Sequence, residues 1–486
     1  MDAYAHADPP NANTAAAQRA HRRPRTRRAN PLARLFDRPI SRAVVGAALA
    51  LTIAAVPATA ARAGTANAST VRSSTTLRVW YASDDPTETP LAQSLARAFE
   101  QAHPGVTVAL STYGLDDMNA KMLLALGSGS PPDLIYTTPR GPGLPTYVHA
   151  GRLLNLSAAA QKDGWAAGLR PGLLTQYNDL LTRTGQAHGH VFAAPYVLAA
   201  VGVLYNQAVF SRLHLSVPRT LAGLEAVCAA VKKASLTPIG FGNADGWVGD
   251  DWYLTLVNSL AGPAALAPEQ HLDPHFRFAG PAAVGAGQTL QHWAQTGYFT
   301  PQFAGLDAQD SVEAFFAGHT AMQLVSSSEN GQIVADAART HVPVGLFAFP
   351  DADGRQAPVM PQSGYAGWAV PAAARQPALA TAFITQMLGA ATAHTLLTHG
   401  LLPARPVAVD AASGPFQRAY LQALATSTAG IYLDGAPVPN LNATMEANVE
   451  LLLQRLETPE FLTRSLQTVY DSGGVRATST RTDGEF

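Results

Sequence analysis

The stretch Val191–Phe210, "VFAAPYVLAAVGVLYNQAVF", is apolar at both ends and interrupted at Pro195-Tyr196. It resumes as Val-Gly-Val-Leu-Tyr-Asn, a β-rich run leading into a turn or short helix. Two readings fit this pattern. One is a pair of buried strands. The other is a hinge whose break carries the wall of a ligand site, because proline has no N–H to give to a sheet ladder.

Upstream, strands and helices alternate. "TLRVWYAS", ending at Ser83, reads as a strand. "TPLAQSLARAFEQAH" (89–103) has apolar residues at helical spacing and stops before Pro104-Gly105. "VTVALSTY" (106–113) is the next strand. "LDDMNAKMLLALGSGS" is a helix ended by glycines, and "PPDLIYTT" (131–138) is a third strand. Strand, helix, strand, helix, strand in so short a span predicts right-handed crossovers and a parallel sheet. Ligands of such sheets sit beyond the carboxyl ends of strands, which singles out Tyr81, Ser83, Asp84, Asp85 and Thr137-Thr138.

Downstream, "PRTLAGLEAVCAAVKKA" (218–234) is a Pro-started helix and "LTPIGFGN" a strand. "DGWVGDDWYLTLVNSLAG" opens as a polar loop and turns helical near Trp252. "DSVEAFFAGHTAMQLVSSS" gives helix, turn and strand, and "VPVGLFAFP" and "SGYAGWAVP" read as strands. "QPALATAFITQMLGAATAHTLLTHG" (376–400) is one long helix or a broken pair, and the C-terminal region is helical. Repeats, coiled-coil heptads and internal membrane spans are absent from the pattern.

Composition narrows the class. At 486 residues, 47% apolar and 14% charged, the chain is long enough for two or more lobes with their own cores. Its N-terminal region differs from the rest. Arginines crowd residues 1–42, uncharged Ala43–Val56 follows, and then come small residues in "PATA" and "ARA". This is the layout of a secretory signal peptide with cleavage after Ala60 or Ala63, and the apolar run is short for a membrane span. An uncleaved anchor and twin-arginine export are the alternatives. Without residues 1–63, 33 − 10 = 23 basic and 34 − 3 = 31 acidic residues remain, a net charge of −8. An acidic exported chain makes a poor nucleic-acid binder. Cys228 is the only cysteine, which excludes an internal disulfide, and its place on an apolar helix face reads as core packing. A lipid anchor is not expected, since the cleavage region has no cysteine.

Catalytic constellations are missing from the pattern. There is no His-Glu-x-x-His, no Gly-x-Ser-x-Gly, and "GAGQTL" (285–290) lacks the third glycine of a dinucleotide loop. "DADGR" (351–355) starts like a calcium loop but has no Glu at the twelfth position, so a β-turn is expected. No metal or cofactor is expected. Asp84-Asp85 and Asp250-Asp251 are carboxylate pairs, but adjacent residues point in different directions and do not make a glycosidase site by themselves. Aromatics in loops are more informative: Tyr81, Tyr196, Trp247, Trp252 and Tyr365, with Trp368 assigned to the core. Aromatic faces beside carboxylates and amides suit sugars, whose C–H faces stack while their hydroxyls hydrogen-bond.

The order of these segments resembles the extracellular solute-binding proteins of ABC importers, in the carbohydrate-binding group that includes maltose-binding protein. The resemblance runs through "LRVWYAS" with "LARAFEQAHPGVTV", "GSGSPPDLIYTT", "HAGRLLNLS", the Val191–Phe210 stretch, "EAFFAGHTAMQLVSSS", "GYAGWAVPAAARQPALATAFITQML" and "HGLLPARPVA". It implies a class II binding-protein fold: two α/β lobes, each a mixed and mainly parallel sheet flanked by helices, joined by a multi-crossover hinge. The first lobe would comprise residues 77–195 and about 345–372, the second 196–344 and about 373–475. A signal peptide (1–63) and a spacer (64–76) would precede them and a flexible tail (476–486) follow. On this reading Pro195 marks the first crossing between lobes.

The resemblance also implies a function without catalysis. A monomer at the outer face of the membrane or in the periplasm would capture a mono- or short oligosaccharide and deliver it to the transmembrane subunits of a permease. Tyr81, Asp84 and Asp85 would face the ligand from the first lobe, with Tyr196 at the crossover. Trp247 and Trp252 would approach from the second lobe, and Tyr365 from the returning strand. Arg405 lies in a family motif. Many relatives carry a stacking Trp where this chain has Ser328, Glu329 and Asn330, which suggests a smaller or more polar ligand. A glycerol-phosphate-like polyol ester and a secreted carboxylate-dependent glycoside hydrolase are the competing functions.

Overall fold

The computed structural model describes residues 75–472, apart from 84–87, 138–143, 183–188, 271–272, 274, 409–413, 433–437 and 439. The expected signal peptide and most of the spacer, the tail, and Asp84 and Asp85 lie outside the described residues. The strands are β1 (Thr75–Ala82), β2 (Val106–Tyr113), β3 (Leu134–Thr137), β4 (Ala193–Asn206), β5 (Thr237–Gly240), β6 (Thr320–Ser326), β7 (Val344–Phe347), β8 (Val359–Ala369) and β9 (Thr428–Ile431). They form a continuous sheet in the order β2-β1-β3-β8-β4-β6-β5, with β7 against β4 and β9 against β8. The parallel pairs are β1–β2, β1–β3, β5–β6 and β8–β9. The pairs through the centre, β3–β8, β8–β4, β4–β6 and β4–β7, are antiparallel. The sheet is therefore mixed, and its parallel character is strongest in β2-β1-β3.

Every residue of β4 is buried except Tyr205, which is half-buried. That explains its near-continuous apolar sequence: both faces of the strand are covered. Its first part, Ala193–Ala200, pairs with β8, and from Val201 onward it pairs with β6 and then β7. Pro195 does not end the ladder, as the sequence suggested. The strand runs through it with register shifts between Pro195 and Val197 and between Val197 and Leu198. The missing N–H produces a bulge, and the exchange of partners comes five residues later. The opposing stretch of β8 carries Gly364 and Gly367 because Tyr177 lies across it. A Cβ at Gly364 would sit 2.5 Å from the Tyr177 ring, and one at Gly367 2.7 Å from the Ala194 carbonyl oxygen.

Between Leu198 and Ala200 the second edge of β4 has no strand beside it, yet its polar groups are paired. Leu198 N–H donates to the Leu402 carbonyl at 2.8 Å. Ala200 N–H donates to Ser327 Oγ at 3.0 Å, and Ser327 Oγ donates to the Leu198 carbonyl at 2.9 Å. The Tyr420 hydroxyl donates to the Ala200 carbonyl. Side chains thus stand in for a strand where the sheet changes hands, as buried backbone groups require.

Two hydrophobic cores flank this strand. One gathers Leu91, Leu95 and Phe99 from the helix Glu88–Ala102, spaced four apart on one face, together with Tyr81, Tyr136, Tyr196 and Trp368. The helices Pro377–Met387, Ala390–Thr398 and Pro415–Thr426 also bury Phe383, Leu396 and Tyr420 in this core, which takes in Phe315 and Ile333 as well. The other core centres on Trp252, Trp293, Phe241, Phe299 and Phe349. Cys228 is buried there, and burial pushes its thiol up to about 12, so it packs rather than reacts. Among the described residues no helix is long and apolar enough to cross a membrane.

Ser327→Ala strips Ala200 N–H and the Leu198 carbonyl of a buried partner. The expected loss is about 1–3 kcal/mol by urea unfolding; a change within about 0.5 kcal/mol would show that the exchange point does not need Ser327.

Candidate functional site

A cavity of about 170 Å³ opens beside the bulge of β4, lined by Ser83, Glu88, Val197, Leu198, Ser328, Tyr365 and Leu401. The strand exchange is what brings these residues together. Ser83 follows the carboxyl end of β1 and Glu88 is the first residue of the helix after it. Val197 and Leu198 are the bulge residues, Tyr365 is on β8, and Ser328 lies in the turn after β6. This arrangement agrees with the rule that ligands of open sheets sit beyond the carboxyl ends of strands.

Glu88 is 9% exposed, and its Oε2 accepts a hydrogen bond from the Tyr81 hydroxyl at 2.6 Å. Tyr81 in turn stacks on Tyr136, with ring centroids 4.3 Å apart and planes 19° from parallel. Tyr196 meets Tyr136 edge-on at 5.4 Å, and Trp368 contacts all three tyrosines. The pKa values of Tyr81, Tyr136 and Tyr196 are all raised, first by burial and further by the Glu88 charge, so the three hydroxyls stay protonated. Among the described residues the buried Tyr196 hydroxyl has no hydrogen-bond partner, nor do Trp368 Nε1 and Thr137 Oγ1. A deeply buried polar atom without a partner calls for a ligand or water to complete it.

On the β6 side, Ser326 caps the turn. Glu329 reaches back to accept from Ser326 N–H at 2.8 Å, closing a capping box. Glu329 is half-buried, and desolvation raises its pKa to about 7 against the pull of the Ser326 hydrogen bond.

The structure distributes the expected site residues unevenly. Ser328 and Tyr365 line the cavity, and Glu329 is the neighbour of Ser328. Tyr81 and Tyr196 lie behind the lining, each about 1% exposed. Trp247 is half-buried against the second core. Trp252 does not approach the cavity but is fully buried, edge-on to Trp293 at 5.6 Å. The helix starts at Trp247 rather than near Trp252, which places Val248, Trp252 and Leu256 on one inward face. Arg405 is likewise structural: its Nε donates to the Leu388 carbonyl at 2.7 Å and its guanidinium lies against Gly168. Asp250 and Asp251 are buried on the same helix as Trp252, and the Tyr432 hydroxyl is 3.5 Å from Asp251 Oδ2.

The sequence reading singled out Ser83 at the end of the first strand but missed Val197, Leu198, Leu401 and, above all, Glu88. A glutamate in the first turn of a helix is ordinary complement to the helix dipole, so no pattern marked it as functional. A larger hollow of about 520 Å³ lies against β7, lined by Tyr205, Arg219, Gly345 and Gln422 among others. It has no carboxylate among its lining side chains, whereas the smaller cavity has the buried Glu88, so the smaller cavity is the better candidate. Among the described residues no group of three or more His, Cys, Asp or Glu could hold a metal ion.

A two-part sheet sharing one strand, two cores, and a polar cavity at the shared strand define a two-lobed binding protein. The chain belongs to the bacterial extracellular solute-binding protein family, whose pattern it matches over residues 84–393. It is similar in fold to a chitin oligosaccharide binding protein, with 23% identity, TM-score 0.68, and coverage of 82% of this chain and 99% of that one. It is also similar to the GacH receptor of Streptomyces glaucescens, studied unliganded and with acarbose, at 19% identity, TM-score 0.65, and coverage of 82% and 98%. An uncharacterized ABC transporter extracellular-binding protein of Pyrococcus horikoshii is 27% identical over 155 residues, 31% of this chain. The match spans about a third of that relative's length, 34%.

Two outcomes follow from this geometry. Trp252→Ala removes a core side chain and is expected to cost about 3–5 kcal/mol; a melting temperature close to wild type would contradict the core placement. Glu329 has a folded pKa raised from 4.5 to about 7, so between these values the unfolded chain releases a proton that the fold retains. Stability therefore falls as pH rises through that window. Glu329→Gln should flatten the fall in melting temperature between about pH 5 and pH 7.5; an unchanged slope would refute it.

Proposed function

We propose that this protein is an exported carbohydrate-binding protein of an ABC importer. It captures a mono- or short oligosaccharide in the cavity at the bulge of β4, between two lobes, and presents it to the permease. The observation that carries this reading is the cavity itself: the buried carboxylate of Glu88 and the side chains of Ser83, Ser328 and Tyr365 from three further chain segments, the surface a polyhydroxylated ring requires. Family membership supports the binding role, and the Pyrococcus horikoshii relative's assignment to an ABC transporter supports the permease as partner. The solved relatives that bind chitin oligosaccharide and acarbose support a saccharide as cargo.

The protein binds its cargo without changing it, as a monomer outside the cytoplasmic membrane. Its lobes approximate the two ends of β4, with the returning strand β8 in the first. At about 170 Å³ the cavity is smaller than the ~300 Å³ at the lower end of drug-sized sites, which suits one sugar ring or the end of a short chain.

Thermal-shift screening of the mature chain against neutral mono- and oligosaccharides, with glycerol 3-phosphate as a further arm, tests the assignment. A saccharide present at 100 times its dissociation constant should add about 2.7 kcal/mol. A shift with the phosphate ester alone would move the cargo to polyol phosphates. Conversion of any bound saccharide to product would make the protein a hydrolase.

A further inference from the structure

β7 is an edge strand: among the described residues it pairs with β4 alone. Gln207 N–H donates to the Pro343 carbonyl at 2.9 Å, which fixes the alternation of that ladder. Gly345 and Phe347 turn their backbone groups to β4, and Leu346 between them turns its N–H and C=O away. Leu346 is 8% exposed, and its side chain packs toward Gly202. Among the described residues no group bonds to its outward edge. Nearly all buried main-chain groups have a partner, and an open strand edge takes one by adding a strand. The hollow of about 520 Å³ lies against this edge, and Leu346 is one of its lining residues. Its walls come from both cores: helix Pro415–Thr426 belongs to the first, and Val217–Arg219 leads into the helix Leu221–Lys233 of the second. Among the residues that line it, Arg219 is the only charged one. Its guanidinium makes no hydrogen bond or ion pair among the described residues. The acidic residues of the neighbouring loop are engaged within that loop: Asp353 pairs with Arg355 at 3.0 Å, and Asp351 Oδ2 accepts from the N–H groups of Arg355 and Gln356.

We propose that this hollow is a peptide-docking site, separate from the cargo cavity, which takes the extended C-terminal end of a partner chain. The peptide adds to β7 as a strand, pairing its main chain with Leu346, and its terminal carboxylate pairs with Arg219. Strand addition needs a group that both donates and accepts along one line, which a main chain supplies at alternate residues. A guanidinium without a partner, in a hollow lined by no acid, is complementary to a carboxylate, which it holds by two parallel hydrogen bonds. Gln207, Gln356 and Gln422 add amides that can donate to and accept from the remaining peptide groups. Size selects a chain end over a strand that runs through. β7 is four residues long, and the hollow falls within the roughly 300–1,000 Å³ of small-ligand sites. That is room for a few extended residues.

The test is calorimetric titration of the mature protein and of Arg219→Gln with the peptide N-acetyl-Thr-Val-Thr-Val bearing a free C-terminal carboxylate. Its C-terminally amidated form and D-glucuronate are the controls. Arg219 is exposed, so its replacement leaves the cores intact, and melts verify this. The free-acid peptide should bind the wild type. Amidation and Arg219→Gln should each weaken it about tenfold or more, as loss of a charged hydrogen-bonded pair does. In the Arg219→Gln protein amidation should cost little more, because both changes remove the same contact. Hydrogen exchange followed by NMR should show the Leu346 amide slowed about tenfold or more by saturating peptide. No binding of the free-acid peptide at millimolar concentration would overturn the proposal. So would an amidated peptide or an Arg219→Gln protein within twofold of the parent, or an unprotected Leu346 amide. D-Glucuronate bound as tightly as the peptide would make the hollow a small-anion site instead. None of these outcomes touches the saccharide assignment, which the neutral-sugar thermal shifts decide separately.

Discussion

The constraint on which the structure depends is the need of one buried strand to keep its backbone hydrogen bonds while changing partners. β4 gives its first eight residues to β8 and its remainder to β6 and β7. On the edge of β4 away from β8, Leu198 and Ala200 would be left with buried polar groups facing no strand. Ser327, Tyr420 and the Leu402 carbonyl fill that gap from three distant parts of the chain. The exchange point is therefore held by side chains and single backbone contacts, where the rest of the sheet is held by continuous ladders.

The same economy places the ligand site. A bulge at Pro195–Leu198 bends the strand and turns Val197 and Leu198 toward the carboxyl end of β1. Ser328, a cavity residue, is the neighbour of Ser327, which holds the exchange. Behind the cavity lies an aromatic stack, of which the Tyr81 hydroxyl donates to the lining carboxylate of Glu88. The proposed cargo site, the strand β4 and the first core thus meet within a few residues, beside the point where the sheet changes hands. This is the arrangement a protein that closes on its ligand needs, with small contacts at the site amplified through a shared element.

Much of the fold was legible in the sequence because periodicity and punctuation speak for local structure. The parallel β2-β1-β3 unit, the helix Glu88–Ala102 and the strand content of Val191–Phe210 all follow from apolar spacing, glycine and proline. The exchange of partners did not follow, because proline marks the loss of one donor and says nothing of where a ladder changes. Trp252 was misplaced for a related reason: the helix begins four residues before the last polar residue of "DGWVGDD", and its buried aspartates look like a loop. Among site residues, Ser328 and Tyr365 were found through their segments, whereas Glu88 was hidden in a position where glutamate is unremarkable. Its place at the cavity and its bond to Tyr81 come from the fold, and no spacing rule foretells them.

Hydrogen–deuterium exchange of the mature protein with and without a saturating saccharide tests most directly that cargo binds at the strand exchange. Ligand-dependent protection is predicted in Glu88–Leu91, Val197–Ala200 and Ser326–Asn330, the segments that meet at the cavity. Protection confined to Gly345–Ala348 and Gln422–Thr426, beside the larger hollow at β7, would contradict the account.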